Sequence, residues 1–181
     1  MQQRWKQLTH RIVHSNPWYR VRQDRVLTPE GKKGIYNVIE KPPSAITIAL
    51  NTRGEIALIK LFRYPTQMSS IEIPNGSIEP GESPLRAAKR ELNEETGLRA
   101  KTWKKLGVLQ GCPGFSNSLY HVFLATNLTQ TSSHRREEEG IESVTFAPFR
   151  TVLRMIQDGR ITDNATVGPI LLAALHLKKI R

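Results

Sequence analysis

Glu91, Glu94 and Glu95 stand at i, i+3 and i+4 in a chain that is otherwise strongly basic, with 27 Lys and Arg against 16 Asp and Glu and a formal net charge of +11. On a helix this spacing puts the three carboxylates on one face, about 5–6 Å apart between Cβ atoms. Like charges so placed destabilise a helix by a few tenths of a kcal/mol per pair. They also fall in its last turns, where the helix dipole favours cations. Two unfavourable placements on one face call for a compensating gain. A hard divalent cation supplies it, because clustered carboxylate oxygens suit Mg²⁺ or Mn²⁺. The plainer alternative is a solvated acidic face, with Lys89 and Arg90 as partial neutralisers.

The elements that must position these acids are legible around them. Ser83 is a good N-cap, Pro84 suits the first helical position, and Gly97 sits where a left-handed C-terminal cap belongs, which predicts a helix between them. Upstream, residues 18–27 and 34–40 read as a hairpin about the turn Thr28-Pro29-Glu30-Gly31. The apolar runs Ala45–Leu50 and Ile56–Phe62 are joined by the turn Asn51–Gly54, and Ile71–Ile73 is a short strand leading into the acidic segment. Val108–Leu109, Leu119–Ala125 and Val144–Phe146 read as further strands, and residues 148–158 and 164–178 carry helical spacing. A boundary near Pro42-Pro43 divides the chain into an N-terminal β region, 1–42, and a main domain, 43–181.

Gly76, Glu82, Arg90, Glu91, Leu92, Glu94, Glu95, Gly97 and Leu98 match the defined positions of the Nudix hydrolase signature. The resemblance implies an α/β fold: an α/β/α sandwich with a mixed sheet, to which the N-terminal region adds an antiparallel β-hairpin. It implies a loop–helix–loop that holds Mg²⁺, or alternatively Mn²⁺, against a diphosphate. Glu91, Glu94, Glu95 and the backbone carbonyl of Asn75 would be the metal ligands, with Glu82 and Arg90 a supporting pair. Pro113, within Cys112-Pro113-Gly114-Phe115-Ser116-Asn117, resembles the proline that marks ADP-ribose pyrophosphatases and other nucleoside-diphosphate-sugar hydrolases. The segments Leu61–Pro65 and Glu72–Gly76 resemble the same subfamily, which implies that Arg63 contacts the diphosphate and Glu72 a ribose. Guanidinium geometry suits the first of these roles.

The N-terminal segments around Asn16-Pro17-Trp18 and Gly34-Ile35-Tyr36-Asn37 resemble the region that, in these enzymes, packs against a second subunit. That implies a homodimer, with Trp18 and Tyr36 as candidates to stack on the base or, equally, to pack at the dimer interface. A general base is expected from the loop Thr131–Gly140. Glu139 is the first choice, Glu138 and Glu137 follow, and Glu142 lies just beyond. The implied reaction is metal-dependent hydrolysis of a pyrophosphate bond, which for ADP-ribose gives AMP and ribose 5-phosphate. The alternatives are an RNA 5′-pyrophosphohydrolase or a hydrolase of oxidised nucleoside triphosphates, and a non-catalytic nucleotide-binding module. Such modules usually lose signature glutamates, whereas this chain retains them.

The single cysteine, Cys112, rules out an internal disulfide. No apolar stretch approaches the roughly 20 residues that span a bilayer, and the polar N-terminus lacks a signal-peptide apolar region, so a cytoplasmic, membrane-free protein is expected. The basic residues are scattered rather than blocked, and no nucleic-acid motif is present, which disfavours a nucleic-acid partner. His121, on an apparent strand, reads as structural.

Overall fold

In the computed structural model, which describes residues 4–132 and 134–180, two units are distinguished. Met1–Pro43 and Gln110–Leu119 form the first; Ser44–Leu109 and Tyr120–Arg181 form the second.

The first unit is an antiparallel meander of β1 (Lys6–Ser15), β2 (Arg20–Leu27) and β3 (Lys33–Glu40). The β1–β2 corner is set by Asn16, whose side-chain oxygen accepts from the amides of Trp18 and Tyr19 at 2.9 and 2.8 Å. Gly31, at φ +81°, provides the left-handed residue of the β2–β3 turn. Within β2, Arg22 pairs with Asp24 at 2.8 Å, and across to β3 both Arg20 and Arg22 pair with Glu40. The segment 110–119 attaches to β3: the Ile39 amide donates to the Phe115 carbonyl at 2.8 Å and the Lys41 amide to Asn117 Oδ1 at 3.1 Å. The strand β1 has no counterpart in the sequence reading. All of its residues are exposed, so neither face imposes the alternation by which a half-buried strand is recognised.

The second unit carries the larger core. A mixed sheet has the strand order β7 (Asn75–Ser77), β4 (Ser44–Ala49), β9 (Leu119–Gln130), β8 (Leu98–Gln110), with β4 antiparallel to β7 and parallel to β9. A second, antiparallel sheet has the order β10 (Ile141–Pro148), β5 (Glu55–Arg63), β6 (Met68–Glu72). The helices are α1 (Pro84–Thr96), α2 (Phe149–Gln157) and α3 (Asn164–His176).

Side-chain alternation along the strands sorts the helices to opposite faces. Ile46 and Ile48 of β4, with Val122 and Leu124 of β9, pack with Phe149, Val152 and Met155 of α2 and Ile170 and Ala173 of α3. The alternate positions Ala45 and Ala49, with Phe123 and Ala125, pack against Ala87, Ala88 and Leu92 of α1. This is the α/β/α sandwich expected from the sequence. The face toward α1 is built mainly of alanines, so the helix lies close to the sheet. β8 is much longer than the Val108–Leu109 stretch visible in the sequence, because Lys101, Lys104 and Lys105 on its exposed positions mask the period. Among the described residues, no helix is long and apolar enough to cross a membrane.

Candidate active site

The acids are presented by a helix with both ends fixed. Ser83 Oγ accepts from the Arg86 amide at 3.3 Å, Pro84 opens the helix, and Gly97 closes it in the left-handed region (φ +69°), its amide donating to the Asn93 carbonyl at 2.8 Å. Gly76 faces the helix so closely that a Cβ there would fall 1.9 Å from Glu91 Cδ. Only a residue without a side chain lets the Glu91 carboxylate lie in this position.

Glu91 and Glu95 are buried, 7% and 6% exposed. Burial pushes Glu95 well above the ordinary glutamate range; the charges of Glu91 and Glu139 add to this, while the Asn75 amide, which donates to Glu95 Oε2 at 2.9 Å, and Arg63 oppose it. Glu91 is likewise raised, first by burial, then opposed by Arg90, with Glu94 and Glu139 raising it further. Arg90 ties the group together. Its guanidinium donates to Glu82 at 3.2 and 2.9 Å, to Glu91 at 2.6 Å, to Glu94 at 3.1 Å and to the Ser77 carbonyl at 2.9 Å. The bond from Arg90 holds Glu82 below the ordinary range, and Glu82 in turn keeps Arg90 firmly charged.

Among the described residues, no group of three or more His, Cys, Asp or Glu side chains converges tightly enough to hold an ion unaided. Arg90 instead bridges Glu91 and Glu94. The donor set nevertheless suits a hard cation. Glu91 and Glu95 are buried carboxylates, Glu91 lies directly against Gly76, and Asn75 Oδ1 is buried without a hydrogen-bond partner among the described residues.

Arg63 and Glu72 lie near this cluster and face each other. The guanidinium donates from Nε to Glu72 Oε1 at 2.8 Å and from Nη2 to Oε2 at 2.5 Å. Glu72, Asp163 and Glu95 all stabilise the arginine's charge. The pair borders a cavity of about 400 Å³ that Thr66, Ser69, Asp163 and Asn164 also line. The loop acids separate by their surroundings. Glu139 acts electrostatically on Glu91 and Glu95. Glu138 lies 4.0 Å from Arg135, and Glu142 pairs with Lys60 at 2.9 Å.

Trp18, Tyr36 and Pro113 belong to the first unit. Trp18 is 75% exposed and lines a cavity of about 340 Å³ with Asn16, Tyr19, Arg20, Glu40 and Asn117. Tyr36 is already engaged: its hydroxyl donates to the Gly114 carbonyl, and its ring meets Trp5 edge-on at 5.5 Å. Pro113 is exposed in the segment that joins β3. The sequence reading missed Arg135 and Arg136, which reach the end of α1. The available signal was an acidic helix terminus with basic residues in the loop expected to carry the base.

Comparison with known proteins identifies the family. The NUDIX domain family matches residues 40–164, and the nucleoside diphosphate sugar hydrolase N-terminal domain matches residues 5–39. The chain belongs to the NUDIX domain family. It is 32% identical to the ADP-ribose pyrophosphatase of Bacillus subtilis (strain 168) over 143 residues, covering 78% of this chain and 77% of that one. It is 29% identical to the ADP-ribose pyrophosphatase of Mycobacterium tuberculosis (strain ATCC 25618 / H37Rv) over 171 residues, covering 93% and 82%. The crystal structure of an ADP compounds hydrolase shares the fold with a TM-score of 0.85 at 22% identity, covering 99% of this chain and 97% of that one.

Proposed function

We propose that this chain hydrolyses the pyrophosphate bond of nucleoside diphosphate sugars of the ADP-ribose type with a divalent metal, releasing a nucleoside monophosphate and a sugar phosphate. The observation that carries this reading is the buried Glu91–Glu95 pair beside Gly76, with Arg63 close enough to act on Glu95. Glu91, Glu94, Glu95 and the Asn75 carbonyl would hold Mg²⁺ or Mn²⁺. When bound, the metal neutralises diphosphate charge and acidifies water.

The remaining steps belong to the chain. Arg63 receives the diphosphate and exchanges part of its fork from Glu72 to phosphate oxygens, a geometry that guanidinium matches well. Glu72, so released, accepts from a ribose hydroxyl. Arg90 and Glu82 hold the loop before α1 in place. Glu139 takes the proton of the attacking water as the new P–O bond forms, with Glu138 next in line. The bridging P–O bond breaks, and its electron pair leaves with the phosphate monoester.

The N-terminal β region, 1–42, is assigned to dimerisation and residues 43–181 to catalysis. Trp5, just before β1, and Ile12 are exposed on the face of the meander that carries Tyr36 and support a second copy as its partner. Trp18 is the better candidate for stacking on the base, since Tyr36 is held by Gly114 and Trp5; Pro113 would border the substrate. The exposed, unpaired Cys112 suits a reducing cytoplasm.

The test is a hydrolysis panel with Mg²⁺, resolving products by chromatography, that includes ADP-ribose, UDP-glucose, GDP-mannose, NADH, an oxidised dGTP and a triphosphate-ended RNA. Release of nucleoside monophosphate mainly from the sugar nucleotides is the expected result. Turnover confined to the triphosphate or the RNA would overturn the reading.

A further inference from the structure

Among the described residues, the last turn of α1 has no basic side chain, although its open carbonyls and dipole favour cations. The cations arrive from the loop between β9 and β10. The Arg135 amide donates to the Glu94 carbonyl at 2.8 Å, and its guanidinium lies 3.7 Å from Glu94 Oε1. The Arg136 guanidinium donates to the Thr96 carbonyl and packs against Gly97, where an added Cβ would lie 3.1 Å from Nη2. Thr131 fastens the start of the loop, its amide donating to the Gly97 carbonyl at 2.7 Å.

The same two arginines define the turn that follows. The Glu139 amide donates to the Arg135 carbonyl at 3.1 Å, the Ile141 amide to the Arg136 carbonyl at 2.9 Å, and Gly140 takes a left-handed φ of +67°. The backbone that carries Glu139 is thus bonded directly to residues that grip the end of α1. Glu91 and Glu95 project from that same helix.

We propose that Arg136 is a positioning residue for the reaction: its bond to the Thr96 carbonyl, with Arg135 on Glu94, fixes the Glu137–Gly140 turn against α1 and so places Glu139 at the acid cluster. This rests on the reading of Glu139 as proton acceptor. A simple helix cap would account for the contact and would affect stability alone. A positioning role requires that the effect of Arg136 on turnover pass through Glu139.

The experiment is a double-mutant cycle of Arg136→Met and Glu139→Gln, with kcat and KM measured well below the Tm, together with amide hydrogen exchange across 137–141. Arg136→Met should lower kcat about tenfold, since small displacements of a catalytic group are costly, while KM stays within about twofold. Exchange across the turn should accelerate, and Arg136→Lys should recover part of the loss. In the Glu139→Gln background, Arg136→Met should have little further effect. An equal fold-loss in both backgrounds, or unchanged kcat and exchange in Arg136→Met, would overturn the proposal while leaving Glu139 as the base. Wild-type kcat in Glu139→Gln alone would remove the reading of Glu139 and this route with it.

Discussion

Glu91 rests on the backbone of Gly76, and a β-carbon on the glycine would fall 1.9 Å from the Glu91 carboxyl carbon. The neighbour that must yield is the end of a flexible side chain, so Gly76→Ala should displace the carboxylate rather than unfold the protein. We expect kcat to fall on the order of a hundredfold, in the range seen when one electrostatic group is removed from a site, with a Tm close to wild type. Near-normal turnover in Gly76→Ala would show that Glu91 need not occupy this position.

Glu95→Gln should abolish turnover and leave the fold intact. The amide keeps the shape and can still accept from the Asn75 amide, but it brings no charge to a cation. Thermal unfolding and Mg²⁺-dependent hydrolysis measured on the same preparation separate the two effects. Full activity with Mg²⁺ would sink the metal assignment.

The raised acids give the metal-free protein a characteristic pH dependence. Burial lifts Glu95 and Glu91 above the ordinary glutamate value of 4.5. Between that value and the raised ones, the folded state binds more protons than the unfolded state, so stability falls as pH rises. Glu82 acts in the opposite sense at lower pH: held down by Arg90, its contribution is present above the ordinary value and is lost as pH falls through its depressed folded value. In EDTA the Tm should therefore decline from about pH 5 toward neutrality, and Mg²⁺ should raise it more near pH 7.5 than near pH 5. A decline of the same slope in Glu95→Gln would assign the effect to other groups.

Arg63→Ala leaves the buried Glu72 carboxylate without its fork, at a cost of about 2 kcal/mol once the arginine's half-exposed side chain is allowed for. Adding Glu72→Gln should restore much of the Tm without restoring KM for ADP-ribose. Recovery of KM in the double variant would mean that Arg63 serves the fold and not the diphosphate.

Ile12→Glu on the exposed β1 strand should yield monomers by light scattering if that face pairs with a second copy. An unchanged mass would place the interface elsewhere or remove it.

The helix α1 was legible to its ends because capping is local: Ser83, Pro84 and Gly97 each act within a turn of their own position. The glutamates were legible for the same reason, as a spacing. Strand order was not, since the parallel pairing of β4 with β9 joins residues far apart in sequence. Nor was the bidentate engagement of Arg63 with Glu72, since the register of β5 and β6 sets Arg63 opposite Met68 and Glu72 opposite Ile59, and only the long arginine side chain closes the gap. The segment 110–119 attaches to β3 through the Ile39 and Lys41 amides, a return that a linear boundary at Pro43 does not express. Arg135 and Arg136 looked like two charges in a polar loop, and only the loop's return to the end of α1 gives them a role.

The central strands keep two separate accounts on their two sides. Ile46 and Ile48 point away from α1, whereas Ala45, Thr47 and Ala49 point toward it. Bulk on the first side can be traded among apolar residues, with losses felt mainly as melting temperature. On the second side a single added methylene would lift the helix that carries the glutamates. Stability and chemistry in this chain can therefore drift at different rates, because neighbouring positions on one strand answer to different constraints.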